Sequence, residues 1–305
     1  MTDVYTGVPL PSCAPGGGRA GVAEGIAAWL GSAAMTALLD AFGFRLPAGG
    51  PLADRLADAE RFSVRWDYRD GKERLHARVE TFEPELDARI RATTAALGLA
   101  DCATPAGTAY DHVLVLGGGI RSTPARAGLA ATVLRDGVQV STVAGLGSTR
   151  ELDNHEEMSR RPGPRPGLTE GDVVEEALRR EFGLGAPTGR RGGDDWWVRE
   201  YADVRPPVYV LAAPSTRPGM RANTADTLVG WAELLPGLAQ GARLLLVTSD
   251  MYVPFQHCDA VRVLGLGYGA TIETIGFAPA APTSAVLQEV RSAIHSMRLL
   301  YAAVA

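Results

Sequence analysis

The sequence contains almost no lysine. Of its 30 Lys and Arg residues, only Lys72 is a lysine. A P-loop needs a Gly-Lys-Ser/Thr sequence, and catalysis through a Schiff base needs a lysine amine. The sequence therefore excludes a P-loop and leaves Lys72 as the one candidate for Schiff-base chemistry. Any site for an anion has to use arginine, backbone amides or the N-termini of helices.

Cysteines and long apolar runs are also scarce, and acidic residues outnumber basic ones. The cysteines Cys13, Cys102 and Cys258 are far apart and form no C-x-x-C pair, which favours a reducing compartment. The net charge of −5 argues against nucleic acid, since a phosphate backbone needs a basic surface. The longest mainly apolar stretch, 15 residues between Glu24 and Asp40, is too short to cross a bilayer, and no secretory signal is visible. We therefore expect a cytoplasmic protein that binds neither nucleic acid nor membranes.

The hydrophobic pattern divides the chain into three parts. Residues 1–105 are mainly helical by their periodicity, and the Asp70-Gly71 turn signal allows a hairpin there. In residues 106–282, short β-branched and leucine runs alternate with helical segments, as in a parallel sheet covered on both faces. Residues 283–305 predict an amphipathic helix that packs on the core. The predicted fold is α/β, a Rossmann-like three-layer parallel sheet with a mainly helical N-terminal region.

Small polar residues follow the predicted strands or begin the next helices. Parallel sheets bind ligands beyond the carboxyl ends of their strands, so these residues predict a site. Asp250 and Glu170 are the candidate acid and base, with Tyr252 and His257 as further catalytic candidates. Arg121 would neutralise charge on the ligand. The candidate binding residues are Gly117, Gly118, Gly119, Arg121, Ser215, Asn223, Thr224, Asp226, Thr248 and Ser249.

Each of these features also has a purely structural interpretation. The three glycines lack G-x-G-x-x-G spacing and are compatible with a tight turn between strand and helix. Asn223 or Thr224 can cap a helix, and Glu170 stands in a first helical turn where an acid is favourable in any case. Capping and anion binding are compatible, because the N-terminus of a helix favours negative charge.

Two long segments rich in glycine, proline and charge interrupt the alternation, at residues 147–167 and 185–207. Such loops are often lids or binding loops, and disorder is the alternative. The first contains four residues with the composition of a metal site, Glu151, Asp153, His155 and Glu156. Because they do not form H-E-x-x-H, we expect a solvated charged loop and no metal. In the second segment Trp196 and Trp197 either stack on a ligand or anchor the loop.

Four segments carry the strand-end motifs in a fixed order. They are VLVLGGG at 113–119, TEGDVV at 169–174, STRPGMRANTADT at 215–227 and VTSDMYVPFQ at 247–256. Their order and spacing over residues 110–278 resemble the YdcF/ElyC/SanA-like family of bacterial proteins. The resemblance implies a nucleotide or S-adenosylmethionine as ligand. The chain departs from that family where Tyr252 stands for a histidine and Phe255 for an arginine, which puts the family's chemistry in doubt.

These features predict a soluble enzyme, a transferase or hydrolase, that acts on a nucleotide-like, adenosyl or phosphorylated small molecule. One alternative is a non-catalytic nucleotide or S-adenosylmethionine binding protein that keeps the pocket without the His/Arg chemistry. Another is an enzyme of a specialised biosynthetic step, with Tyr252 and the two long segments shaping a less polar pocket. The expected partner is a small-molecule substrate, and the sequence is compatible with a homo-oligomer.

Overall fold

The computed structural model describes residues 5–14, 18–68, 79–152, 167–217, 220, 222–235 and 237–305. The strands are β1 (Ala109–Leu116), β2 (Gln139–Ser148), β3 (Gly189–Gly192), β4 (Trp197–Tyr201), β5 (Val208–Ala213), β6 (Arg243–Ser249) and β7 (Thr271–Phe277). The helices are α1 (Val22–Leu30), α2 (Ala33–Ala41), α3 (Leu52–Ser63), α4 (Pro84–Thr94), α5 (Ser122–Arg135), α6 (Glu170–Phe182), α7 (Thr224–Leu234), α8 (Val253–Ala260), α9 (Leu266–Tyr268) and α10 (Thr283–Val304).

The seven strands form one sheet in the order β3-β4-β5-β2-β1-β6-β7. From β5 to β7 all neighbouring strands are parallel, while the β3–β4 hairpin adds two antiparallel strands at one edge. The hairpin lies in residues 185–207, where the sequence predicted a long loop. Its strands are short, with five residues in β4, and they pair only because β5 offers an edge.

Strand β1 lies in the middle of the sheet and is covered on both faces. Val113 and Val115 pack with α5 and α6, whereas Leu114 and Leu116 pack with α7, α10 and the N-terminal helices. All four are almost completely buried, which explains why the strand is a continuous apolar run. The predicted α/β class, a three-layer and mostly parallel sheet, is thereby confirmed.

The N-terminal region is helical, as predicted, and packs against α10. Trp29 of α1 is fully buried, and its indole N–H donates a hydrogen bond to Leu97 O at 3.0 Å. The hairpin predicted at Asp70-Gly71 lies outside the described residues. Among the residues described, no single helix has the length and apolar character to span a bilayer, although α1 and α2, bent by 42°, meet those criteria as a pair.

Candidate functional site

The carboxyl ends of β1 and β6 lie side by side where the chain connections change face. The helices after β1 and β2 cover one face of the sheet, and those after β5 and β6 cover the other. Because connections leave this place in opposite directions, a crevice opens beyond the strand ends. Ligands of open parallel α/β sheets bind in such crevices.

A cavity of about 650 Å³, here called the switch-point cavity, opens beyond the ends of β1 and β2. Leu116 and Leu146 form its apolar floor, and the first residues of α6 and α7 form its walls. Among the described residues that line it, Arg150 and Arg217 are the cations and Glu170 is the one carboxylate. Its volume is in the range of small-molecule sites, about 300–1,000 Å³.

Gly117 lines the cavity at the end of β1, and close packing requires a glycine there. Its N–H donates a hydrogen bond to Leu146 O at 2.6 Å, across to β2. A Cβ on Gly117 would lie 2.6 Å from the same oxygen and 3.1 Å from Glu170 Cδ. The glycine therefore lets Glu170 approach the end of β1.

Arg126 of α5, which was not predicted as a site residue, binds the carboxyl end of β1. It is 2% exposed, and its guanidinium donates hydrogen bonds to the carbonyl oxygens of Leu116 and Gly117. It also donates to Ser249 Oγ at 3.3 Å. Arg126 thus joins the ends of β1 and β6, and Ser249, a predicted binding residue, is buried in this contact.

Glu170 is the first residue of α6 and is held in place by its neighbours. Ser148 Oγ, at the end of β2, donates a hydrogen bond to Glu170 Oε2 at 2.7 Å. Arg150 Nη2 lies 3.9 Å from Glu170 Oε1. The helix begins there because Thr169 and Asp172 form a capping box. The carboxylate is therefore fixed at the cavity wall by a hydroxyl and a nearby guanidinium.

The N-terminus of α7 forms the opposite wall. Asn223 and Asp226 form a second capping box, in which Asn223 Oδ1 accepts from Asp226 N–H at 3.0 Å. Asp226 is buried in this box and does not line the cavity. Gln256 of α8 donates a hydrogen bond to Thr224 Oγ1 at 3.1 Å and accepts one from Thr248 Oγ1. Thr248 is therefore a buried support for Gln256, which reaches the cavity itself.

Asp250, a predicted acid or base, does not line the switch-point cavity. It begins the 3-10 turn after β6, where Met251 N–H donates to its Oδ1 at 2.6 Å. Burial, with a smaller contribution from the charge of Asp101, raises the pKa of Asp250 to about 6. The carboxyl therefore belongs to the contact between β6 and the segment around Asp101.

Tyr252 and His257 also lie outside the lining of this cavity. The Tyr252 ring packs edge-to-face on Phe255, with ring centroids 5.8 Å apart, and lies 5.5 Å from Arg126 Cζ. The two ring nitrogens of His257 lie 3.0 Å from Thr274 Oγ1 and 3.0 Å from Pro11 O. Burial lowers the pKa of His257 to about 4. The imidazole therefore joins the N-terminal segment to β7. Of the aromatic residues near the start of α8, Phe255 is the one that lines the cavity.

The remaining predicted binding residues take structural positions near the site. Gly118 leaves room for Ser122, since a Cβ there would lie 2.6 Å from Ser122 Oγ, and Gly119 O accepts hydrogen bonds from the first turn of α5. Arg121 is exposed and does not line the cavity. Ser215 forms a turn, in which its Oγ accepts from the N–H of Arg217 at 3.1 Å. Of the predicted residues, Gly117, Glu170, Asn223 and Thr224 line the cavity.

The sequence analysis missed both cations of the cavity, although one of them carried a usable signal. Arg150 follows the end of β2 by two residues, so the rule that selected the other strand ends applies to it as well. The group with the composition of a metal site includes Asp153, His155 and Glu156, and these three lie outside the described residues. Within the part of the chain that is described, no group of three or more His, Cys, Asp and Glu side chains has a metal-site arrangement.

Comparisons with known proteins identify the relatives of the chain. Residues 13–98 match the family described as the Rv3785 N-terminal domain. The chain is 33% identical over 326 aligned residues to the proteins named "Uncharacterized protein Rv3785" of Mycobacterium tuberculosis and "Uncharacterized protein Mb3814" of Mycobacterium bovis. The alignments cover 92% of this chain and 90% of each relative. No solved structure matches the chain.

The resemblance to the YdcF/ElyC/SanA-like family is wrong, because the matches are to a different family, whose members align with 92% of this chain, including residues 110–278 in large part. The shared motifs have a physical origin that needs no common family. TEGD and NTAD are capping boxes, and a glycine turn after the first strand is a general feature of parallel sheets. S-adenosylmethionine was implied by that resemblance alone and loses its basis. At this identity and coverage, the chain belongs to the family of Rv3785-like proteins.

Proposed function

We propose that the chain binds a small phosphate-bearing molecule in the switch-point cavity and acts on it as an enzyme. The observation that carries the proposal is the set of groups that meet there. Arg150, Arg217 and the N-terminus of α7 face one carboxylate, Glu170, beyond the ends of β1 and β2. A phosphate ester is the ligand that such groups recognise best.

The charges around the cavity favour an anion. Arg150 lies near Glu170, so part of its charge is compensated. Arg217, in contrast, is exposed, and among the described residues no carboxylate forms an ion pair with its side chain. The positive end of the α7 dipole contributes within the first helical turn, where the capping-box carboxylate of Asp226 compensates part of it. In a chain with a single lysine, guanidinium groups and helix N-termini supply the anion contacts.

Glu170 supplies the acid-base chemistry of the proposal. Its Oε2 accepts the hydrogen bond from Ser148, and its Oε1 faces Arg150. A carboxylate held at the wall of an anion site is positioned to accept a proton from a hydroxyl or water that attacks the bound phosphate ester. The reaction class is then hydrolysis or group transfer, and Arg150 and Arg217 stabilise the negative charge of the transition state.

The binding part is tested by calorimetric titration with inorganic phosphate, adenosine monophosphate and glucose 1-phosphate. Arg217→Ala should weaken binding about tenfold, which corresponds to about 1.4 kcal/mol. Arg89→Ala removes an equally exposed arginine from α4, far from the cavity, and should leave binding unchanged. If none of these ligands binds the wild-type protein at millimolar concentration, the proposal is wrong.

The catalytic part is tested with Glu170→Gln, which keeps the shape and the hydrogen bond from Ser148. This variant should bind the phosphate ester at least as tightly as the wild type, because a like charge is removed, and should form no product by phosphorus NMR. Binding by the wild-type protein without product formation would contradict the catalytic part and leave a binding protein, the alternative considered from the sequence.

A further inference from the structure

A second cavity of about 660 Å³, here called the helical cavity, lies between α3, α8 and α10. It shares Asn223, Thr224 and Phe255 with the switch-point cavity. The N-terminus of α7 therefore separates two spaces of similar size. A ligand that extends past this helix end reaches both.

The helical cavity differs from its neighbour in charge. Three arginines line it, and each lies in an ion pair: Arg61 with Asp58 at 2.8 Å, Arg262 with Asp259 at 3.2 Å and Arg291 with Asp67 at 2.7 Å. Its remaining carboxylate, Glu60, lies 2.6 Å from His295 Nδ1 and also pairs with Arg298. Each arginine of the lining is thus ion-paired, Arg61 and Arg291 with carboxylates that lie outside the lining, so the helical cavity offers no unpaired guanidinium to an anion.

The walls of the helical cavity combine hydrogen-bonding groups with apolar surface. Ser292 and Ser296 of α10 line it, as does Gln288, which is 6% exposed. Gln288 Oε1 is buried and accepts no hydrogen bond from the described residues. A buried acceptor without a donor is unfavourable, and rotation of the Gln288 side chain into the cavity would let a ligand O–H or N–H donate to it. The aromatic side chain of Phe255 lies between the two cavities and lines both.

Exposed apolar side chains lie at the rims of both cavities. Val64, which is 56% exposed, borders the helical cavity, and Met220, which is 58% exposed, borders the switch-point cavity. They are two of the four large hydrophobic side chains that are exposed in the described chain. Each gives the rim of its cavity an apolar contact for a ligand, although two single side chains do not form a contiguous apolar patch.

We infer that the two cavities form one bipartite site for a phosphate ester of an uncharged, hydroxyl-bearing ring, a nucleoside or a sugar. The phosphate binds at Arg150 and Arg217, and the ring passes the N-terminus of α7 and binds between Phe255 and α10. This inference rests on the proposed function, since it assigns the phosphate to the same arginines. It adds that the ring is bound by the helical N-terminal region, because α3 forms the outer wall.

The test enlarges a small residue in the helical cavity. Ala57→Phe on α3 fills the space for the ring without touching the switch-point cavity. Ala53→Phe makes the same change one helical turn earlier, at an exposed position outside the lining of both cavities. Ala57→Phe should weaken binding of adenosine monophosphate or glucose 1-phosphate about tenfold. Binding of inorganic phosphate should be unchanged, and Ala53→Phe should bind all ligands as the wild type does.

Ser292→Leu on α10 reaches the same cavity from the opposite wall and serves if Ala57→Phe does not fold. Equal affinity of the wild type for phosphate and for both esters would overturn the inference, as would equal effects of the two alanine variants. In both of those outcomes phosphate still binds, so the proposed function survives. Failure of phosphate and both esters to bind would overturn the two proposals together. The ester that binds more tightly identifies the ring.

Discussion

Replacement of Asp250 by asparagine should stabilise the protein at neutral pH. Asp250 is 5% exposed, and burial is the main reason why its pKa rises from 3.8 to about 6. Asparagine keeps an oxygen that accepts the hydrogen bond from Met251 N–H, so the turn after β6 is preserved. The substitution removes the ionisation of this side chain and one acceptor for the backbone hydrogen bond from Asp101, and only the loss of ionisation depends on pH.

The sign and size of the effect follow from proton linkage. Because the folded protein holds the proton of Asp250 more tightly than the unfolded chain, its contribution to stability is present below about pH 4 and is lost as the pH rises through about 6. A difference of about two pKa units corresponds to about 3 kcal/mol at neutral pH. About half of that loss develops between about pH 5 and about pH 8.

The measurement is the free energy of unfolding by urea for the wild type and Asp250→Asn, at about pH 5 and about pH 8. The advantage of the variant should grow by about 1–1.5 kcal/mol over this interval. Asp136→Asn, at an exposed position after α5, is the control for the loss of a carboxylate. A stability difference between Asp250→Asn and wild type that is independent of pH would refute the reasoning, because it would mean that Asp250 is not held protonated in the folded state.

Two further substitutions test the packing around the site. Arg126→Met should reduce the free energy of unfolding by about 3 kcal/mol, because the buried guanidinium no longer donates to the carbonyl oxygens of Leu116 and Gly117. A loss below about 1 kcal/mol in urea unfolding would show that water replaces the guanidinium. Gly171→Ala should cost about 1–3 kcal/mol, because the new Cβ would lie 2.7 Å from Trp197 Cζ2. Gly185→Ala, which would meet no atom within 4 Å, is its control, and equal unfolding midpoints for the two variants would contradict the packing argument.

The sequence predicted the sheet and the edge at which the cavity lies, because both depend on patterns that are local along the chain. Alternation of apolar runs and helical segments defines a parallel sheet, and ligands bind at the carboxyl ends of its strands. Gly117, Glu170, Asn223 and Thr224 were found by this rule and line the cavity. The rule works where the first residue of a helix or the last of a strand points directly into the crevice.

The rule fails where the direction of a side chain depends on contacts with residues that are distant in the sequence. Thr248 and Ser249 are the last two residues of β6, yet their hydroxyls form buried hydrogen bonds with Gln256 and Arg126. Asp250 enters a 3-10 turn that takes its carboxyl towards Asp101. A pattern of strand ends contains no sign of Arg126 on α5 or of Gln256 on α8, the two residues that bind these hydroxyls. A sequence therefore shows which residues reach the edge of a sheet, but the packing of helices decides which of them face a ligand.

The N-terminal region makes contacts with α8 and α10 that its own sequence pattern does not predict. Arg291 of α10 pairs with Asp67 at 2.7 Å, and Pro11 O lies 3.0 Å from His257 Nε2 on α8. Thr283, at the start of α10, donates a hydrogen bond to Asp87 of α4. Glu60 of α3 in addition lies 2.6 Å from His295 Nδ1 of α10. Together these contacts hold the N-terminal helices against α8 and α10, so the helical cavity is formed before any ligand arrives. Preorganised walls reduce the entropy lost on binding. The N-terminal domain is therefore a wall of the helical cavity, and substitutions in it change the shape of that cavity.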